Sequence, residues 1–261
     1  MTNAVLRFVL FLFLVLAAPA VPKAQDFSLA HGKDALMILY SREGPELDSI
    51  AAHLLAGDIQ RVTGNQPKIV TDITEARGHV IVIGSIESGL IKNFIDKKSS
   101  LYQRLQGKWE CFALTIKEKP KAAISKALVI AGSDARGTAY GVFTLSEKIG
   151  ISPWWWWADV PVKHQPQFSL HQPDTVSASP SVKFRGIFIN DEDWGLRPWA
   201  STTFEPEVSN IGPKTYAKVF ELLLRLKANL VWPAMHPGTK PFYSVPGNSE
   251  MAARFSIVIG S

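Results

Sequence analysis

Three acids stand in a row at Asp191-Glu192-Asp193, behind Asn190 and the apolar run Gly186 to Ile189. Carboxylates at the carboxyl end of a buried strand can act as general acids or bases on a glycosidic bond, or accept hydrogen bonds from sugar hydroxyls. Period-two alternation sends Asp191 and Asp193 to one side and Asn190 and Glu192 to the other, so one pair can face a pocket while the other holds the loop. Asp191, Glu192 and Asp193 are thus the candidate catalytic residues, and Asn190 is a candidate substrate contact. The competing role for these acids is to cap a turn or to pair with Arg185 and Arg197.

His236 closes a second apolar run, Asn229 to Met235, so its imidazole is expected at the same rim, with Trp232 just before it. Lys240 follows and could meet an anionic substrate group. Trp194 and Trp199 flank the acids, and their faces could stack on sugar rings. The run Trp154-Trp155-Trp156-Trp157 reads two ways: as packing between two parts of the chain, or as a carbohydrate platform. Alternation there would send Trp154 and Trp156 one way and Trp155 and Trp157 the other, with packing the main role and one ring reaching a cleft. The histidines show no H-x-x-x-H spacing and the single cysteine, Cys111, no C-x-x-C partner, so no metal site is expected. The glycine-rich segment Gly132 to Gly141 opens a helix, but its spacing is neither G-x-G-x-x-G nor a Walker A loop; close helix-on-sheet packing at Gly137 and Gly141 is the better reading.

These residues need elements to hold them. The 261 residues are 46% hydrophobic and 20% charged, a globular balance. Lys plus Arg number 28 against 23 for Asp plus Glu, a net +5 scattered among acids, which argues against nucleic acid as a partner. Met1 to Arg7 is a basic start, Phe8 to Ala18 an apolar run too short to span a bilayer, and Ala18-Pro19-Ala20 an A-x-A pattern, so residues 1–20 read as a secretory signal peptide. No membrane span is expected after its cleavage, the expected compartment is secreted or periplasmic, and no oligomeric state is predicted.

From residue 25 to 175 the pattern predicts one mixed α/β accessory domain. It has strands at Asp34 to Tyr40, Lys68 to Val70, His79 to Gly84, Glu110 to Lys117 and Ala127 to Ala131. A helix is expected over Pro45 to Val62, a short one near Gly89 to Lys97, and a last one over Ser133 to Ile149. Pro161 to Pro180 reads as a linker. From residue 181 to 261 the order is strand, helix, strand, linker, strand: Ser181 to Asn190, buried on both faces from Gly186; a helix from Pro213 to about Ala228; Asn229 to Met235; and Phe255 to Gly260. That is the opening of a βαβ series. A (β/α)₈ barrel takes about 250 residues, so this unit is expected to be the start of an incomplete barrel, with an open three-strand appendage as the alternative.

Three segments, GSDARGTAYGVFTLSEKIGISPWWWWADVPV (Gly132 to Val162), FRGIFINDEDWGLRPWA (Phe184 to Ala200) and IGPKTYAKVFELLLRLKANLVWPAMHPGTKPF (Ile211 to Phe242), closely resemble glycoside hydrolase family 115, the xylan α-1,2-glucuronidases. The resemblance implies an α/β domain packed on a catalytic (β/α)₈ barrel with further domains beyond it, and no cofactor. It also implies inverting removal of glucuronic acid or its 4-O-methyl ether from glucuronoxylan. Inversion requires two carboxyl groups roughly 6.5–9.5 Å apart. The Asn190 to Asp193 cluster and His236 match family motif positions and are carried over as pocket residues. The family's His- and Glu-rich segment would begin after Ser261, so residues 1–261 are expected to be inactive alone. A carbohydrate-binding protein using Trp194, Trp199 and the four-tryptophan run is the competing reading.

Overall fold

A computed structural model describes residues 25–29, 36–172, 174–190, 195–233 and 236–260. The predicted signal peptide and the Asp191 to Trp194 cluster lie outside the described residues. The strands are β1 (Gln25–Ser28), β2 (Met37–Leu39), β3 (Lys68–Val70), β4 (Gly78–Ser85), β5 (Phe112–Lys121), β6 (Ile124–Gly132), β7 (Ser169–Gln172), β8 (Thr175–Val176), β9 (Gly186–Phe188), β10 (Leu230–Trp232) and β11 (Val258–Ile259). The α-helices are α1 (Glu46–Thr63), α2 (Ser100–Leu105), α3 (Ala135–Lys148), α4 (Leu196–Trp199), α5 (Pro213–Arg225) and α6 (Asn248–Arg254). Among the described residues no helix is long and apolar enough to cross a membrane.

The first sheet has the order β3-β2-β4-β6-β5-β8, with β2, β3, β4 and β6 parallel and β5 antiparallel to β6. Its central strands run apolar and buried over residues 80–83 of β4 and 127–131 of β6, where both faces are covered. Ile81, Ile83, Leu128 and Ile130 point into the core under α1 and α3, while Val80, Val82, Ala127 and Val129 join Phe94, Tyr102 and Leu105 on the other face. In α1, Leu47, Ala51, Leu55, Ile59 and Val62 are buried at helical spacing, and Gly64 ends the helix in the left-handed region at φ 80°. Helix α3 starts at Asp134, whose side chain accepts from the Gly137 N–H at 2.7 Å. A Cβ on Gly137 would collide with the Cys111 carbonyl oxygen and one on Gly141 with Ile130, so close packing is the job of both glycines, as expected. Cys111 is free and buried.

Several expectations change. The stretch read as a linker contributes two strands: β7 pairs antiparallel with β1, and β8 with β5. The short helix near Gly89 to Lys97 is a 3₁₀ turn at Ile91–Asn93, and the α-helix follows it at α2, with Ser99 accepting from the Tyr102 N–H at 3.2 Å. A helix, α6, fills the segment read as a second linker and leads into β11.

The second sheet is parallel, in the order β11-β10-β9. Gly186, Ile187 and Phe188 of β9 are exposed, not buried on both faces, because among the described residues β10 is the one strand paired with β9. Helix α5 packs Tyr216, Val219, Phe220, Leu223 and Leu224 into the same core as α1 and α3. Burying a leucine or phenylalanine contributes about 1.5–3 kcal/mol, so this shared face ties the two sheets together strongly.

Two buried charge networks complete the junction. The Glu110 carboxylate, fully inaccessible, accepts from Arg136 Nε at 2.5 Å, Arg185 Nη2 at 2.5 Å and Asn229 Nδ2 at 2.7 Å. Arg136 also donates to the Ser256 carbonyl at 3.0 Å. Arg185, Asn229 and Ser256 precede β9, β10 and β11, so one carboxylate collects the amino ends of all three parallel strands. Tyr140, beneath it, donates to the Ala228 carbonyl at 3.1 Å, and burial together with the Glu110 charge pushes its phenol pKa upward. Between α1 and α5, Arg225 grips Asp58 with two bonds of 2.8 and 3.1 Å and Glu221 with one of 2.9 Å.

Candidate functional site

The rim at the carboxyl ends of β9, β10 and β11 carries the described candidates. The ladder runs past β9 through the Ile189 N–H, which donates to the Trp232 carbonyl at 2.8 Å, and past β11 through the Gly260 N–H, which donates to the Val231 carbonyl at 2.8 Å. Asn190, the next residue, is exposed. Phe188 and Trp232 are register partners, with rings 6.2 Å apart at 78°, and Trp232 is 40% exposed. Asn190 and Trp232 therefore stand at adjacent strand ends, both exposed.

His236 begins a turn. Its Nδ1 accepts from the Gly238 N–H at 3.3 Å and its carbonyl from the Thr239 N–H at 2.8 Å, and the residue is half-buried. Lys240 extends an exposed side chain, while its backbone N–H donates to Asn210 Oδ1 at 3.2 Å. The same Asn210 oxygen accepts from the Ile211 N–H at 3.0 Å, so the loop after β10 is fastened to the loop after β9.

Two more buried residues hold these loops. Glu205 accepts from the Lys214 and Thr215 N–H groups and the Thr215 hydroxyl, each at 3.0 Å, and so caps the positive end of α5. Asn248 donates to the carbonyls of Ile211 at 3.3 Å and Phe242 at 3.1 Å. Sequence reading missed Asn210, Glu205 and Asn248. Asn210-Ile211-Gly212-Pro213 carried a turn signal at the helix start, but nothing local marked Glu205 as the cap.

The tryptophans form a second cluster. Residues Trp154 to Trp157 are a turn rather than a strand: the Ala158 N–H donates to the Trp154 carbonyl at 2.9 Å and the Trp155 N–H to that of Ser152 at 3.1 Å. Trp155 and Trp157 pack against the core, and Trp157 Nε1 donates to the Lys218 carbonyl at 3.2 Å. Trp199 joins them from the loop after β9, 5.9 Å from both Trp156 and Trp157, and stacks on Phe204 at 4.9 Å and 11°. A cavity of about 600 Å³ lies here, lined by Trp155, Trp156, Trp157, Asp159, Leu196 and Trp199.

Of the sequence candidates, Asn190, Trp232, His236 and Lys240 belong to the strand-end rim, and Trp199 belongs to the tryptophan cluster. Asp191, Glu192, Asp193 and Trp194 are outside the described residues. Arg185 pairs with Glu110 at the amino end of β9. Among the described residues no group of three or more His, Cys, Asp or Glu side chains could hold a metal ion.

A search of curated proteins gave no match. The sequence profile described as Glycosyl hydrolase family 115 matches residues 177–261. Among solved structures, the chain is 40% identical to BtGH115A, described as a family GH115 4-O-methyl-alpha-glucuronidase with specificity for decorated arabinogalactans; 90% of this chain and 29% of that one superpose at a TM-score of 0.75. The chitobiase of Flavobacterium johnsoniae matches at 12% identity and a TM-score of 0.51, covering 92% of this chain and 33% of that one. A Streptomyces plicatus N-acetyl-beta-hexosaminidase matches at 14% and 0.50, covering 91% and 42%. At such identities those two speak for the fold alone. The chain thus spans less than half the length of each of these structures, and it has the mixed α/β fold of the family enzyme. With the profile match and the 40% identity together, the chain belongs to glycoside hydrolase family 115.

Proposed function

We propose that the protein is a secreted α-glucuronidase that removes glucuronic acid or its 4-O-methyl ether from glucuronoxylan by inverting hydrolysis. The observation that carries this reading is the 40% identity to a family 4-O-methyl-alpha-glucuronidase over 90% of the chain. In this reading the parallel sheet β9-β10-β11 is the opening of a (β/α)₈ barrel, preceded by an accessory domain over residues 25–175. Asp191, Glu192 and Asp193 supply or position a catalytic carboxyl group at the strand ends, while Asn190, Trp194, Trp232, His236 and Lys240 contact sugar there and Trp199 contacts it from the tryptophan cluster. Lys240 is the exposed cation of this set and suits the uronate carboxylate. Inversion asks for an acid to protonate the leaving oxygen and a base to activate water. We also propose that residues 1–261 alone do not turn over, since they span 29% of a family enzyme.

The test is release of free uronic acid by the full-length protein from glucuronoxylan and from a decorated arabinogalactan, with proton NMR following the anomeric configuration of the first-formed product. Uronic acid released as the β-anomer supports the reading. Retained polysaccharide with no uronic acid released would favour the binding-protein reading, and an α-anomeric product would contradict inversion.

A further inference from the structure

The tryptophan cluster is a built pocket that the strand-end chemistry does not use. Its rings are fixed from several sides. Trp157 is held through Nε1 to the Lys218 carbonyl, and Trp156 meets Trp157 edge-on at 4.8 Å and Phe204 at 5.3 Å. Trp199 and Phe204 are laid flat on one another by a π-helical turn, Ala200–Phe204, closed by the Glu205 N–H donating to the Ala200 carbonyl at 2.8 Å. Such turns are rare and concentrate at functional sites. Trp154, at the mouth of the run, leaves 46% of its surface exposed. A cavity of about 600 Å³ is within the range of ligand sites, and rigid aromatic walls cost little ordering entropy on binding.

The chemistry of the lining selects the ligand. Among the described lining residues Asp159 is the one carboxylate, exposed and held at φ 49°, so it repels an anion and accepts hydroxyls. A cationic ligand is disfavoured for a different reason: the ring faces that would receive it are already served. The Arg61 guanidinium lies 4.0 Å from the Trp155 ring centre, and the Lys218 ammonium lies 5.1 Å from that of Trp156 while bound to Glu221 at 3.0 Å. What remains is a neutral ligand with apolar C–H faces and a hydroxyl edge, which describes an uncharged pyranose.

We propose that this pocket is a binding subsite for a neutral sugar residue of the polysaccharide main chain, apart from the strand-end rim where the acidic branch is processed. The inference rests on the reading of the protein as a polysaccharide-active enzyme and names a further contact that such an enzyme makes with its substrate.

The experiment titrates the full-length protein with two neutral probes, xylohexaose and a β-galactan oligosaccharide of equal length, by calorimetry. Wild-type protein is expected to bind at least one of them. Trp156→Ala and Asp159→Asn should each weaken that binding about two- to tenfold, the ratio that one aromatic contact or one hydroxyl acceptor gives. Asp159 is exposed and asparagine tolerates positive φ, so this second variant keeps the fold even if the first loosens it. Unchanged affinity in Asp159→Asn together with a folded, equally tight Trp156→Ala overturns the subsite. So does a wild-type protein that binds neither oligosaccharide but binds tetramethylammonium. Neutral binding lost in the variants while wild-type protein releases no uronic acid upholds the subsite and contradicts the hydrolase reading. Uronic acid released by wild-type protein whose variants bind normally does the reverse.

Discussion

The two ends of the parallel sheet β9-β10-β11 are made from opposite materials. At the amino ends, Arg185, Asn229 and the Ser256 carbonyl converge with Arg136 on and around a carboxylate that water does not reach, Glu110. At the carboxyl ends stand Asn190, Trp232 and Lys240, all exposed. One end spends its polar groups on one another and on the first domain, while the other carries them on the surface. The contrast teaches where to look for chemistry: open α/β sheets place ligands outside the carboxyl ends of their strands, and here the opposite end is closed by a charge lock that joins the two sheets.

The lock should give the largest effect. Glu110→Ala strands two arginines and the Asn229 amide, and removing one partner of a buried ion pair costs about 3–5 kcal/mol. With Arg136 and Arg185 side chains 30% and 23% exposed, the lower end of that range, about 3 kcal/mol, is expected in urea unfolding. A loss under about 1 kcal/mol would show that the lock does not hold the sheets together and would break the comparison.

A buried acid in the first domain sharpens it. Asp48 lies in the first turn of α1, 2% exposed, with Oδ1 making no hydrogen bond, and burial pushes its pKa from the ordinary 3.8 up to about 7. The folded state therefore keeps a proton between about pH 4 and 7 that the unfolded chain has released. Stability is full below pH 4 and falls as pH rises to 7, by an amount on the order of 4 kcal/mol, about 3 of it above pH 5. Thermal unfolding at pH 5 and pH 8 should show this decline, and Asp48→Asn should flatten it. No change in slope in that variant would contradict the assignment.

Smaller effects are expected nearer the rim. Trp157→Phe keeps the aromatic packing but loses the bond to the Lys218 carbonyl, a loss of about 1 kcal/mol. His236→Ala, which removes a half-buried ring that accepts from the Gly238 N–H, should change stability by no more than about 0.5 kcal/mol while lowering turnover of the full-length protein. A His236 variant as destabilised as Glu110→Ala would erase the contrast between the two ends.

Much of the scaffold was legible because its signals are local. The spacing of Leu47, Ala51, Leu55 and Ile59, the Asp134 cap and Pro213 at a helix start all lie within one or two turns of what they specify. What failed was long-range. Strand β7 exists because it pairs with β1, and the Pro-rich stretch around it looks like a linker until that partner is known. Glu110 read as a strand start, since its partners Arg185 and Asn229 lie far along the chain. Alternation put Trp155 and Trp157 on one side, where they pack on the core, although the run is a turn and not a strand. The strand-end placement of Asn190 and Trp232 was legible from the apolar runs that precede them. Glu205, Asn210 and Asn248, which fasten the rim's loops, gave no such signal because their bonds go to backbone groups in neighbouring loops.

The most direct test of the central claim is uronic acid release by full-length protein carrying Asp191→Ala, Glu192→Ala or Asp193→Ala singly, with unfolding temperature measured alongside. At least one variant should lose about 10²-fold or more in turnover while melting as the wild type does. Wild-type turnover in all three would contradict the placement of the chemistry at this end of the sheet.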